Sequence, residues 1–288
     1  MQLKRRIVKH AIFLMNHILL FLLFNCPIES YQNELERIPL HKLQSGQEVI
    51  ALTNSLMNTQ CQSSEHQVSV FLIFDKFYKR YSDAQTDHFY DHYVPSYYRV
   101  KYSTKSKKYA DSLKSAGLAL VLSSTEEMYV SYSPAIYLKY FANSNSTPLN
   151  SYVDLLLTEK DIGEGYVGDY SILIDRLKKW ETSLLSAQHP DLIEKNLYHF
   201  KYYSRLFMNG LDNTRIYKLN PDNSSKGKML PEFQQIVLNL TKDQSHPLIY
   251  RLFNSFHEEL SKHNYEYFDG IRTFYSEVTI KEYLQIIK

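Results

Sequence analysis

Apolar residues in the C-terminal half recur at steps of three and four. Tyr170, Leu173, Ile174, Leu177, Trp180, Leu184 and Leu185 form one continuous stripe over 169–185, the pattern an amphipathic helix buries. Gln188-His189-Pro190-Asp191 interrupts it. Proline cannot continue the hydrogen-bond ladder, and Asp191 is of a type that caps a following helix. A second stripe, Leu192 or Ile193, Leu197, Phe200, Ser204, Phe207 and Leu211, predicts a helix ending near Asn209-Gly210. Helices joined by so short a link pack antiparallel to bury facing stripes, so 169–211 predicts a helical hairpin.

Further along, the polar run 220–228 has the turn chemistry of an exposed loop. Pro231 stands where a first helical residue belongs, ahead of Phe233, Ile236, Val237 and Leu240. Ser245-His246-Pro247 opens another helix, with Leu248, Leu252, Phe256 and Leu260 on one face. Thr279-Ile-Lys-Glu282 has the form of a capping box before Tyr283, Ile286 and Ile287.

The N-terminal half is more mixed. Val49, Leu52 and Leu56 predict a helix over 45–58, whereas 68–74 and 117–122 fit either a strand or a buried helix. Ser124-Thr-Glu-Glu127 is a capping-box pattern that predicts a helix over 125–141, bent at Pro134. Asn143 to Pro148 is the candidate boundary between halves, and Asp161-Ile-Gly-Glu-Gly165 is a second polar turn. The expected fold is mainly α, with a minor β element in the N-terminal half. Its helical hairpins are of the kind that stack into solenoids, although no repeat with a period of roughly 20–50 residues emerges. The expected division is a leader over 1–30, a mixed helical region over 31–148 and a helical region over 149–288.

The leader has a pattern of its own. Lys4, Arg5, Arg6 and Lys9 precede an apolar run from Ala11 to Phe24, which Asn25-Cys26-Pro27 ends. Cations, a short greasy stretch and a helix-breaking exit make the three-part form of a secretory signal. The rival is a transmembrane anchor. The run is shorter than the roughly 20 apolar residues a spanning helix needs, and Asn16 and His17 interrupt it. A third outcome is cleavage immediately before Cys26 with a lipid on its thiol. Leu23 is the aliphatic residue such a signal wants, but Asn25 departs from the small residue usual before the cysteine. The expected location is outside the cytoplasm: periplasmic, envelope-associated or secreted.

Charge shifts once the leader is set aside. The chain's formal +2 includes four cations and one acid within residues 1–30, so the remainder stands at −1. A body this close to neutral has no global field to recruit nucleic acid. At 44% hydrophobic against 22% charged residues, about 260 residues are enough to build a sizeable core. Tyrosine is the outlier, 25 residues beside 15 Phe and one Trp. It suits helix packing and recognition surfaces alike. Of the two cysteines, Cys61 is expected as a small buried thiol, alone if Cys26 leaves with the leader or carries lipid.

Few residues carry chemistry. Asp87, His88, Asp91 and His92 form the sharpest constellation: on a helix the imidazoles share one face, as ligands to a single zinc ion must, and the aspartates could ligate or orient them. Phe89 stands where the metalloprotease motif has its glutamate, and no third ligand is marked. Arg99, Lys101, Lys105, Lys107, Lys108 and Lys114 face one acid, Asp111, with Tyr97, Tyr98, Tyr102 and Tyr109 interleaved. That patch reads as a wet basic face or a surface for an acidic partner or anionic headgroups. Asp161, Glu164 and Asp169 fail a calcium loop, since glycines occupy ligand positions. Sequons occur at Asn145, Asn223 and Asn239.

No catalytic residue is marked. The expectation is an exported, non-catalytic protein that binds an unidentified protein or envelope component through tyrosine-rich helical surfaces, with an inhibitor or immunity-type protein as its specific form. Membrane contact would come only through a lipid anchor or an uncleaved signal. The alternative is a metal-dependent hydrolase using His88 and His92.

Overall fold

The computed structural model describes residues 26–59, 61–93, 104–122, 128–133, 135–159, 170–210, 215–219, 226–268 and 270–286. The chain is mainly α, with two small antiparallel two-stranded sheets among the described residues. It divides into two units, Met1–Leu157 and Thr158–Lys288. Residues 1–25 of the expected leader, the turn at 161–165 with the acids of the rejected calcium loop, and the sequon at Asn223 lie outside the described residues. No helix among the described residues is long and apolar enough to cross a membrane.

The first unit holds α1 (Ile28–Arg37), α2 (Gln44–Thr59), α3 (Ser64–Tyr93), α4 (Thr104–Ser115), β1 (Leu118–Leu122), β2 (Met128–Tyr132), α5 (Ala135–Phe141) and α6 (Thr147–Leu157). Helix α3 is its axis. The stretch 68–74, open to either reading in sequence, is part of it, and Phe71, Phe74, Tyr78, Tyr81 and Phe89 along its length are fully buried. Thirty residues of helix carry apolar groups on several faces because α1, α2, α5 and β2 all pack around it.

Polar tips on α3 tie down the chain between α1 and α2. The Tyr81 hydroxyl donates to the carbonyl of Leu43 at 2.9 Å, and the Gln85 amide donates to that of Leu40 at 2.8 Å. Tyr78 donates to Ala116 O at 3.0 Å and Gly46 O at 3.2 Å. These side-chain donors tie the carbonyls of Leu40, Leu43, Gly46 and Ala116 to α3, which holds the chain around α2 against the core. Burial pushes the Tyr81 hydroxyl up to about 12 and raises Tyr31, Tyr78 and Tyr109 further.

The segment 117–122 resolves as strand β1, paired antiparallel with β2 in the register Leu118↔Tyr132. This corrects the helix expected over 125–141, of which, among the described residues, only Ala135–Phe141 is helical. The box residues Ser124–Glu127 and Pro134 lie outside the described residues. Met128 and Val130 point inward, and the Val130 N–H donates to Thr86 Oγ1 on α3 at 2.9 Å. Strand pairing and that anchor outweigh the local helix-start signal. The stretch 143–148, expected as a boundary, lies inside the first unit, where the Asn150 side chain accepts from Ser144 N–H and Oγ.

The first unit also contains a disulfide between Cys26 and Cys61, their Cα atoms 4.8 Å apart. Cys61 is buried as expected, but it is not a lone thiol. The bond joins the start of α1 to the link after α2, and Tyr31 adds a second tie through its hydroxyl, 2.7 Å from Thr53 Oγ1.

The second unit holds α7 (Ser171–Ser186), α8 (Pro190–Asn209), β3 (Tyr217–Leu219), β4 (Lys226–Met229), α9 (Pro231–Leu240), α10 (Pro247–Lys262) and α11 (Ile271–Ile286). The predicted hairpin is α7 with α8. Leu173, Leu177, Trp180 and Leu184 face Leu192, Phe200, Ser204 and Phe207 in a shared core. Gly210 ends α8 at φ 69°, a conformation glycine adopts without strain. Asp191 does not cap α8: the His189 ring accepts its N–H, and Asp191 sits in the first turn. Pro231 and Pro247 take the first positions of α9 and α10 as predicted.

Two expectations fail in this unit. Residues 226–228, read as loop, form most of β4, which is held from both sides by β3 and by Tyr265 and Tyr267. Thr279 starts no helix. It lies inside α11, buried, with its hydroxyl on the Tyr275 carbonyl. A threonine and a glutamate three apart fit a helix interior as well as a cap, and packing against α8 and α10 extends the helix on both sides.

Candidate functional site

His88 and His92 lie one turn apart near the end of α3, as their spacing predicts, with ring centroids 4.1 Å apart. His92 Nδ1 is 3.0 Å from the His88 carbonyl. A carbonyl only accepts, so Nδ1 carries the proton and Nε2 is the basic nitrogen. Burial lowers the His88 pKa, His92 and His41 lower it further, and Asp91 opposes them. Asp87 and Asp91 are exposed. Among the described residues, no group of three His, Cys, Asp or Glu side chains is placed to hold a metal ion.

The basic patch is only partly described. Arg99 and Lys101 lie outside the described residues, as does the side chain of Lys105. Lys107 and Lys108 are exposed on α4, and Lys114 pairs with Asp111 at 3.1 Å. Tyr109, expected to offer a stacking ring on this surface, is turned inward. Its hydroxyl donates to Gln85 Oε1 at 2.9 Å, and its ring stacks on Tyr93 at 4.4 Å.

Ten described tyrosines are buried, so a large share of the tyrosine builds core. Two described tyrosines are exposed, Tyr129 on β2 and Tyr198 on α8. Tyr198 is 66% exposed, the most exposed of the large apolar or aromatic side chains among the described residues. Tyr202 and Arg205 follow at four and seven residues, hence on the same face, and the Arg205 guanidinium sits 5.3 Å from the Tyr202 ring centroid. From Asp191 to Asn209 the helix carries three cations, Lys195, Lys201 and Arg205, and two exposed carboxylates, Asp191 and Glu194. The face was legible in sequence as the complement of the buried stripe.

The opposite face of α8 is held rigidly. His199 stacks on Trp180 of α7 with centroids 4.2 Å apart and planes 6° from parallel. Trp180 Nε1 donates to Glu159 Oε1 at 2.7 Å, and the Tyr203 hydroxyl donates to Glu159 Oε2. Arg176 reaches the hydroxyl and carbonyl of Thr158. Tyr198 therefore projects from a helix whose rotation is fixed by neighbours on both sides of it in sequence. A pre-set aromatic anchor loses little entropy when it binds.

A groove of about 190 Å³ beside α1 and α2 is lined by Pro27, Ser30, Tyr31, Glu34, Leu52, Ser55 and Leu56. That is below the ~300 Å³ usual for small-molecule sites, and the Tyr31 hydroxyl is turned away from it to Thr53.

Comparison of the chain with protein-family models, curated proteins and solved structures gives no match. The class that fold and surface define is a mainly α protein of two units, with an exposed tyrosine beside Tyr202 and Arg205 on a helix of the second.

Proposed function

We propose that this chain is an exported, non-catalytic binding protein that docks an acidic protein surface onto the outer face of α8. The observation that carries the reading is the exposure of Tyr198 beside Tyr202 and Arg205 on a helix locked by the Trp180–His199 stack. Exposed tyrosine and arginine at the centre of a patch are the residue types that dominate protein interfaces. Lys195, Lys201 and Arg205 outnumber Asp191 and Glu194 along α8, which favours a partner rich in Asp and Glu. Export rests on the three-part leader.

The test is affinity capture from envelope or culture-fluid extract, followed by titration of the recovered partner. A saturable complex is expected, weakened at least about tenfold by Tyr198→Ala, since a central aromatic anchor is worth roughly 1.4 kcal/mol or more. Arg205→Glu should weaken it and reverse its salt dependence. Tyr198→Ala should change folding stability by less than about 0.5 kcal/mol, as expected of an exposed position. A complex indifferent to both substitutions would remove α8 from the interface.

The hydrolase reading depends on His88 and His92. The free Nε2 of His92 suits a metal ligand, and a third ligand would have to come from beyond the described residues. Zinc analysis of the purified chain decides it. Stoichiometric zinc, lost in His88→Ala and in His92→Ala, would favour the enzyme.

A further inference from the structure

We infer that Cys26 stays in the processed protein and is oxidised onto Cys61, so that the body of the chain matures on the oxidising side of a membrane and Cys26 carries no lipid. The inference rests on the export reading and adds the fate of one atom, the Cys26 sulfur.

Position is the first argument. The leader's apolar run stops at Phe24, two residues before Cys26, and the first described helix, α1, starts at Ile28. Cys26 is therefore the hinge between leader and body. Its carbonyl already accepts the N–H of Ile28 at 2.9 Å, and Pro27 O accepts that of Tyr31 at 3.0 Å, so local backbone bonds fix Cys26 at the head of α1.

Independent contacts bring the partner close. Tyr31 on α1 is buried with its hydroxyl on Thr53 of α2, and Leu35 is buried one turn further on. Cys61 follows α2, with its N–H on Leu56 O at 3.1 Å and no exposed surface. The approach of the sulfurs is thus supported by packing that would exist without the bond. The chain has only these two cysteines, so no other internal pairing competes.

Compartment is the second argument. Thiols in the cytosol are kept reduced, whereas exported proteins keep their disulfides. Closing the bond removes two protons and two electrons from the two thiols. The acceptor is a thiol–disulfide oxidoreductase in its disulfide form, which is reduced to a dithiol in the exchange. A lipid attached to Cys26 would use the same sulfur as a thioether, so lipidation and the bond exclude one another. Leader removal, where it occurs, must then fall before Cys26.

The experiment uses the full-length chain with its leader, recovered from its source after cells and medium are treated with a thiol-alkylating reagent before lysis. Non-reducing proteolysis and mass spectrometry should give a Cys26 peptide joined to a Cys61 peptide, with neither residue alkylated until reductant is added. Cys26→Ser should expose one alkylatable thiol per chain, and only after denaturation. Three outcomes would overturn the inference: a diacylglyceryl group on Cys26, a mature N-terminus beyond Cys26, or both cysteines alkylated without reduction. The first two leave export standing. Both thiols free on a chain that retains Met1 and is recovered from the cytosol would bring down the export reading as well.

Discussion

Glu181 on α7 caps α10 from a different helix while holding His246. Its Oε2 lies 2.6 Å from His246 Nδ1, and its Oε1 accepts the N–H groups of Leu248 at 2.5 Å and Ile249 at 3.1 Å. Those N–H groups sit in the first turn of α10, where no intrahelical partner exists. A carboxylate with only 1% of its side chain exposed thus sits at the positive end of a helix dipole.

Removing that carboxylate should cost more than neutralising it. Glu181→Gln keeps one acceptor oxygen for Leu248 and Ile249, and about 1–2 kcal/mol of stability should be lost. Glu181→Ala leaves buried donors unpaired and should cost about 3–5 kcal/mol. Burial raises the Glu181 pKa, and the two N–H groups and His246 oppose the rise. A raised folded pKa favours the protonated form, so this group's contribution is present at acid pH and lost as pH rises through the folded value. Urea unfolding of both variants across pH tests this: Ala no worse than Gln would end the capping account.

Acid should act in the opposite sense at Asp243. The hydrogen bond from Lys178, at 2.7 Å, lowers the Asp243 pKa most, and Ser245 lowers it further, to about 2 from an ordinary 3.8. A depressed folded pKa gives stability that is present above about pH 4 and lost between there and about pH 2. The Asp243→Asn variant should be less stable at neutral pH by about 1 kcal/mol or less, as expected of a part-exposed pair. The gap from the parent should close on acidification. A gap unchanged at pH 2–3 would contradict the assignment.

Gly46 and Tyr78 form a single contact with Ala116. A Cβ on Gly46 would stand 2.6 Å from the Ala116 carbonyl oxygen, which also accepts the Tyr78 hydroxyl at 3.0 Å. Gly46→Ala must push α2 away from that turn and should cost about 1–3 kcal/mol. Tyr78→Phe removes the shared donor and should cost about 1 kcal/mol. Because either change disturbs the same junction, the double variant should lose less than the sum. Full additivity in denaturant titrations would show that the two groups act separately.

Reduction should be felt globally in the first unit. The Cys26–Cys61 bond spans 35 residues, a loop whose closure is worth about 4 kcal/mol in the chain-entropy model. Cys26→Ser with Cys61→Ser should lower the unfolding midpoint and make it insensitive to reductant, whereas the parent's midpoint should fall when reductant is added. Equal midpoints for the parent with and without reductant would mean the bond contributes nothing.

Legibility tracked periodicity. The stripe from Tyr170 to Leu185, the break at Pro190, the stop at Gly210 and the starts at Pro231 and Pro247 all appeared where sequence put them. Each is a local signal, set by side-chain spacing or by the backbone limits of proline and glycine. The misses were signals with two local solutions. Ser124–Glu127 and Thr279–Glu282 both match a capping box. In the first case β1 pairing turned the residues that follow into a strand, and in the second helix packing ran straight through the box. The candidate face on α8 was legible as the side left over by the buried stripe, but its sequence did not show that Tyr198 stays exposed while Tyr109 turns inward.

The sequence by itself determined the mainly α class, the α7–α8 hairpin, the stop at Gly210 and the helix starts at Pro231 and Pro247. All four depend on composition or on neighbours within a few residues. Only the tertiary structure decided which tyrosines are core, that 68–74 is helix and 117–122 strand, and that Cys26 meets Cys61 across 35 residues. Those outcomes depend on groups far apart in the chain competing for the same buried space and the same hydrogen-bond partners. No local pattern encodes which of them wins.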